Sequence, residues 1–382
     1  MAHYKLAFLI NCYFGYGGMQ RDMCRIAEAC LGRGHDVHVF ATDWQGEKPQ
    51  GMQLHLLQSR AWTNMGRDQA LAYAAQQSMA AEHFDSVIGF IKVAGLDIYY
   101  AADPCYAAHV DATRNIFYKL GYRYWRRRRQ ESLIFDKGLK THILLIAHQE
   151  QQKFCHYYGT EHQRFHLLPP GIDKTRLTEN IPDTQASQQL RTQLGVAQAG
   201  FMILSVGSHF GTKGVDRSIR ALASLPEALR VVSTLVIVGS GKDRPYHELA
   251  GRLGVGDRVV FTGPRDDVAD FYYAADMLLH PAYTENTGTT LLEAMVCGLP
   301  VLVTANCGYA THVSRADAGL VCPLPFEQGI LNEQLATMLI SDERAQWREH
   351  GLCYSREQDL YGMVDTAVAV IETITAAKQG EA

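Results

Sequence analysis

No two of the nine cysteines form a C-x-x-C pair, and none stands with histidine at a metal-binding spacing. The odd, scattered set reads as reduced thiols of a cytoplasmic protein, several of them buried as small apolar residues. Long apolar runs are lacking too: no stretch approaches the roughly 20 residues needed to cross a bilayer. The first such run, Leu6 to Ile10, is too short for a signal peptide and leads straight into a glycine-rich turn. Charge of one sign is also missing. The net charge of -4 draws the whole molecule to neither nucleic acid nor membrane, so any basic surface is local.

What is present is enough chain for two domains, since 382 residues exceed what one hydrophobic core usually serves. KLAFLIN reads as a buried parallel strand, and Met19, Met23, Ile26, Ala27 and Cys30 then recur at helical spacing. DVHVFAT follows as a second strand, completing a βαβ unit. SVIGF and THILLIA extend the series. The break falls at LLPPGID, residues 167–173, where two prolines and a glycine stop any regular element. The pattern then restarts with FMILSVG, TLVIVG, RVVFTG, DMLLH and LPVLVT, spaced by helical stretches. The expected fold is α/β, with two Rossmann-like doubly wound domains over 1–168 and 169–354. A helix at about 355–382 is expected to pack back on the first domain. A ligand belongs at the carboxyl ends of the strands, in a cleft between the domains.

The strongest local signal is HPAYTENTGTTLLEAMVCGLPVLVT, residues 280–304. A strand ends at His280, Pro281 opens a loop, and Gly288 leads into an apolar helix that Cys297 and Gly298 end. The N–H groups of Gly288, Thr289 and Thr290 at the helix start make an anion site. Glu293, set among Leu291, Leu292, Ala294 and Met295, needs hydrogen-bond partners. A ribose diol would supply two. The competing reading makes Thr287 an N-cap and Glu293 a salt-bridged glutamate.

Glu285 precedes Glu293 by eight residues, and this E-x7-E pattern resembles that of retaining glycosyltransferases with the GT-B fold. FGYGGMQRD, AADPCYA, LLPPGID, GSHFGTKGVDRSI, FTGPRDDV, HPAYTENTGTTLLEA and CGLPVL also fall in the order and spacing of bacterial lipopolysaccharide core glucosyltransferases, over nearly the whole chain. The resemblance implies that Glu293 holds the ribose hydroxyls and Glu285 contacts the donor sugar. It implies that Lys213 pairs with the diphosphate while the amides of Asn286, Thr287, Gly288, Thr289 and Thr290 cradle sugar and phosphate. The backbone at Pro264 and Arg265 would meet the base, and Gly17 and Gly18 would let the first domain approach the pyrophosphate. Asp103, in AADPCYA, matches a position near the reacting sugar. Asp103, Lys213 and Glu285 are thus the expected catalytic set.

A lysine and a helix N-terminus aimed at the departing diphosphate stabilise charge that develops in the transition state. The family implies same-face attack with no protein nucleophile, so the glutamate pair does not read as a hydrolase acid and nucleophile. Two positions depart from the pattern. Thr212 stands where relatives place an arginine, and Ser208 occupies another commonly basic position. Arg217 and Arg265 are the candidate replacements, with a solvated helix charge as the competing reading of Arg217. No D-x-D occurs, which fits a metal-independent enzyme without a cofactor.

Gly15, Gly17 and Gly18 do not complete G-x-G-x-x-G, because Gln20 takes the final position. With Asp43 ending the second strand, a nicotinamide-binding reading stays open.

YKLGYRYWRRRRQ, residues 118–130, sets Tyr124, Trp125, Arg126, Arg127, Arg128 and Arg129 together. Ile116, Phe117, Leu120 and Tyr124 could share one helical face, with the arginines around the other. That composition suits a helix on an anionic membrane surface. It also suits a solvated helix or a grip on anionic acceptor glycolipid. Nucleic-acid binding lacks a supporting fold motif.

The expected activity is therefore transfer of a hexose, glucose from UDP-glucose, to a heptose of the lipopolysaccharide core at the cytoplasmic face of the inner membrane. The alternatives are a nucleotide-sugar epimerase of the same fold, a transferase with another glycan acceptor, a nicotinamide-dependent oxidoreductase and a basic adaptor.

Overall fold

Strands built from unbroken runs of Val, Ile, Leu and Ala are suited to burial on both faces. In the computed structural model they assemble into two parallel sheets. The structure describes residues 2–15, 17–57, 64–79, 82–174, 177 and 184–380. The chain divides into two units, Met1–Pro169 with Gly362–Ala382, and Pro170–Tyr361.

The first unit contains β1 (Lys5–Leu9), β2 (Cys12–Tyr13), β3 (Asp36–Ala41), β4 (Asp43–Trp44), β5 (Gln53–Leu56), β6 (Ser86–Gly89), β7 (Ile98–Ala101), β8 (His142–Leu145) and β9 (Phe165–Leu167). Its main sheet runs β5-β3-β1-β6-β7-β8-β9, while β2 and β4 pair separately. The second unit contains β10 (Phe201–Val206), β11 (Ser233–Val238), β12 (Val259–Gly263), β13 (Met277–His280), β14 (Val301–Thr304) and β15 (Gly319–Cys322), in the order β12-β11-β10-β13-β14-β15. Each sheet starts in its middle and winds outward both ways. The chain reverses between β1 and β6 in one and between β10 and β13 in the other, and these reversals open crevices at the carboxyl ends of the strands.

Alternation along each strand supplies both faces with core. Leu6, Phe8 and Ile10 enter one cluster with Met23, Ile26, Val37 and Val39, and Ala7 and Leu9 enter the other with Phe40, Leu71 and Tyr99. In the second unit Met202 and Leu204 face Leu291 and Leu292, while Ile203 faces Ile219 and Leu235.

The C-terminal helix Met363–Gly380 adds Met363, Ala367, Val368 and Ile371 to the core of the first unit. Arg33 and His35 each reach Glu372 on it, both at 2.9 Å. The return begins at Gly362, not at the expected 355. The helix Arg344–Glu357 stays with the second unit because its Trp347 is buried there and Gly351 lies tight against Met295. Strands β5, β7, β9 and β15, of three or four residues each, are not among the runs read from the sequence. No helix among the described residues is long and apolar enough to cross a membrane.

Candidate active site

The reversal between β10 and β13 places two loops side by side. After β10 the chain turns through Gly207 and Ser208 into the short helix Phe210–Lys213. After β13 it runs through Pro281 to Gly288 and into the helix Thr289–Val296. The Tyr283 N–H donates to the Thr212 carbonyl at 2.8 Å, which ties the loops together. Two glycines permit the approach. A Cβ on Gly214, at φ 72°, would lie 2.1 Å from the Pro281 carbonyl oxygen, and one on Gly288, at φ 91°, would lie 2.5 Å from Cys307 Sγ.

The loop Pro281–Gly288 is held through its carbonyls. Thr304 Oγ1 donates to Ala282 at 3.0 Å, Gly308 N–H to Glu285 at 3.1 Å and Tyr309 N–H to Thr287 at 2.7 Å. The N–H groups of Gly288, Thr289 and Thr290 open a helix, where no preceding turn can accept them. Gly288 is itself the N-cap, in the left-handed conformation, so Thr287 is not.

Lys213 and Glu285 meet here: the ammonium ion-pairs with the carboxylate, and His280 Nε2 lies 3.4 Å from the same oxygen. Burial alone would raise the Glu285 pKa, but His280 and Lys213 outweigh it and hold the carboxyl down at about 2. Glu285 is therefore a fixed anion across the neutral range. His280 Nδ1 and Thr290 Oγ1 are buried with no hydrogen-bond partner among the described residues. Glu293 is buried on the helix Thr289–Val296 and accepts a hydrogen bond from the Tyr272 hydroxyl at 2.8 Å.

Neither candidate arginine is positioned as a free cation. Arg217 is clamped between the Tyr283 and Phe326 rings, 3.6 Å from each centroid, and donates to the Pro281 and Ala282 carbonyls at 3.2 Å. It is a strut under the Glu285 loop rather than a diphosphate ligand or a solvated charge. Arg265 is exposed and forms a bidentate pair with Asp267. His280 and Tyr272 were not singled out from sequence. A polar residue ending a strand at the sheet reversal was the available signal for His280; Tyr272 gave none.

In the first unit Gly17 is the N-cap of the helix Gly18–Gly32, and a Cβ there would meet Gln20 Oε1 at 1.9 Å, whereas one on Gly18 would meet nothing within 4 Å. Asp43 lies outside the main sheet, in the β2–β4 pair. Asp103 is exposed in the turn between β7 and the helix Tyr106–Thr113.

The expected single face from Ile116 to Tyr124 does not form. The helix Ile116–Lys119 stops, Gly121 caps a new helix Tyr122–Phe135, and Tyr124 turns into the protein, 4% exposed. Tyr124 is thus a core residue and not part of a membrane-facing surface, because the break at Gly121 resets the helical phase. Ile116, Phe117, Leu120, Tyr122 and Trp125 are exposed instead. Arg126 lies over Tyr122, Arg128 over Trp125, and Arg127 over Tyr106. An open cavity of about 980 Å³ beside them is lined by Trp125, Arg128, Arg129, Leu133, Leu139 and Lys140, among others.

Two doubly wound sheets in one chain, with a charged cluster at the second reversal, are the architecture of GT-B glycosyltransferases. Residues 186–351 match the family described as Glycosyl transferases group 1, and residues 16–176 match Glycosyltransferase Family 4. The chain belongs to this glycosyltransferase family. It is 42% identical to the lipopolysaccharide glucosyltransferase WaaG of Escherichia coli (strain K12) over 369 residues, 96% of this chain and 98% of that protein. The crystal structure of WaaG superposes with a TM-score of 0.90 at 41% identity, covering 96% and 99% of the two chains. Anabaena HepE in complex with UDP and glucose shares the fold, with a TM-score of 0.75 at 20% identity over 98% and 100% of the chains.

Proposed function

We propose that the protein transfers glucose from UDP-glucose to a heptose of the lipopolysaccharide inner core, with retention of configuration and with neither metal nor cofactor. The observation that carries the reading is the fixed Lys213–Glu285–His280 cluster beside the helix start at Gly288, in a chain 42% identical to a lipopolysaccharide glucosyltransferase. Glu293 holds the ribose hydroxyls, Asn286 to Thr290 offer N–H groups to sugar and phosphate, and Glu285 faces the donor sugar. Lys213 shares its charge with the diphosphate. As the C1–oxygen bond breaks, negative charge grows on the leaving diphosphate, where the ammonium and the helix N–H groups stabilise it. The acceptor hydroxyl attacks C1 from the same face and passes its proton to the departing phosphate oxygen. Asp103 orients the acceptor side.

The exposed Trp125 and Tyr122 with Arg126, Arg127, Arg128 and Arg129 form a surface for anionic lipid, holding the enzyme peripherally at the cytoplasmic face of the inner membrane. Incubation with a panel of nucleotide sugars and truncated core acceptors tests the whole reading. The expected product is a glucosylated heptose with the donor's anomeric configuration. Conversion of donor alone to an epimer would replace the transferase with an epimerase.

A further inference from the structure

The turn carrying Asp103 enters the helix Tyr106–Thr113, and three consecutive N–H groups at that entry, those of Cys105, Tyr106 and Ala107, are taken by carboxylates from other helices. Cys105 N–H donates to Glu150 at 2.7 Å. Tyr106 N–H donates to both oxygens of Glu131 at 3.0 and 3.1 Å, and Ala107 N–H to Glu131 at 3.3 Å. Glu131 is 1% exposed and also accepts from Lys92 Nζ at 3.0 Å and the Tyr158 hydroxyl at 2.7 Å. Burial alone would lower the Lys92 pKa, but Tyr99, Glu131 and Asp103 outweigh it and raise it, so the ammonium stays charged beside the Asp103 turn. A helix start filled by two carboxylates is closed to a substrate anion. It is instead a rigid mount, since charge-assisted bonds to consecutive N–H groups fix the peptide planes that follow Asp103 and Pro104.

We infer that Glu131, backed by Lys92, is a positioning residue for the transfer reaction: it touches no substrate and fixes the helix entry that sets the place of Asp103. The inference rests on the reading of Asp103 as an active-site carboxylate. Glutamine at 131 would turn an amide N–H toward groups that are already donors, and aspartate would keep the charge but fall one methylene short.

The test uses the full-length enzyme, with UDP release in the presence of acceptor, UDP calorimetry and thermal melting for each variant. Glu131→Gln and Glu131→Asp should lower kcat by about tenfold while UDP affinity stays within about twofold. Should Glu131→Gln not fold, Glu131→Asp, which keeps the negative charge opposite Lys92, carries the test alone. Tyr158→Phe removes a bond to the same carboxylate without touching the helix entry, and should lower the melting temperature but keep kcat. In an Asp103→Ala background, itself low in kcat, Glu131→Asp should change kcat by less than about twofold. Multiplying losses in the double variant, equal kcat losses in Tyr158→Phe and Glu131→Asp, or wild-type kcat in Glu131→Asp would each overturn the positioning role while leaving Asp103 in place. Wild-type kcat in Asp103→Ala would remove the reading of Asp103 and this inference with it.

Discussion

At the scale of single residues, Lys213 and Glu285 neutralise each other before any donor arrives. Glu285 has a second partner in His280, which would remain to it if Lys213 turned to the diphosphate of the proposed reaction. Lys213→Ala should therefore cut turnover more than UDP affinity, as seen by comparing kcat with calorimetric Kd. Wild-type turnover would make Lys213 a structural partner of Glu285 alone. Glu293→Gln should weaken UDP binding by about tenfold or more, because a charge-assisted hydrogen bond contributes about 1.5–3 kcal/mol. Unchanged affinity in a folded variant would leave Glu293 as the partner of Tyr272 and no more. The Glu285 carboxyl, held at about 2 against the ordinary 4.5, makes its stabilisation fully present above the ordinary value. That contribution is lost as pH falls through about 2. Urea unfolding of wild type and Glu285→Gln should show a stability gap at neutral pH that narrows as pH drops from about 4.5 toward about 2. A gap independent of pH would mean that the carboxylate charge contributes nothing.

At the scale of elements, the helix Tyr122–Phe135 serves both of its sides at once. Trp125 and the arginines lie outward, while Tyr124 and Glu131 are buried. Four arginines near an anionic surface contribute at most roughly 4 kcal/mol, and salt shortens their reach to about 10 Å at 0.1 M. Replacing Arg126, Arg127, Arg128 and Arg129 with glutamine should lower co-sedimentation with anionic vesicles and remove its salt dependence. Activity on a short soluble acceptor should persist. Tyr124→Ala should behave differently, losing on the order of 3 kcal/mol of stability with vesicle binding intact. Equal vesicle binding by the glutamine variant would return the run to a solvated helix.

At the scale of the whole molecule, the last helix is the return of the chain to a core it left at Pro169. Removing residues 362–382 strips Met363, Ala367, Val368 and Ile371 from the first unit and leaves the cluster of Ile26 and Val37 only partly covered, by the helix Gly18–Gly32. Calorimetry of that truncation should show the first unit melting earlier or not cooperatively, with the transition of the second unit retained. A single unshifted transition would make the helix an ornament of the fold.

The sequence by itself determined the parts that local pattern encodes. Long apolar strands such as FMILSVG announce themselves, and so does the glycine that opens the helix at Thr289, because burial on both faces and a left-handed backbone each demand particular residue types. The E-x7-E spacing and Lys213 were legible in another way, through the family pattern that their motifs resemble. Tertiary structure alone decided which charges are already spent. Arg217 reads as a free cation until Tyr283 and Phe326 close over it, and Tyr124 reads as membrane-facing until the break at Gly121 turns it inward. Glu131 carries no signal at all, since its partners at Lys92, Tyr106 and Tyr158 are remote in sequence. Pairing between distant side chains depends on where the sheets bring them, and no local pattern records that.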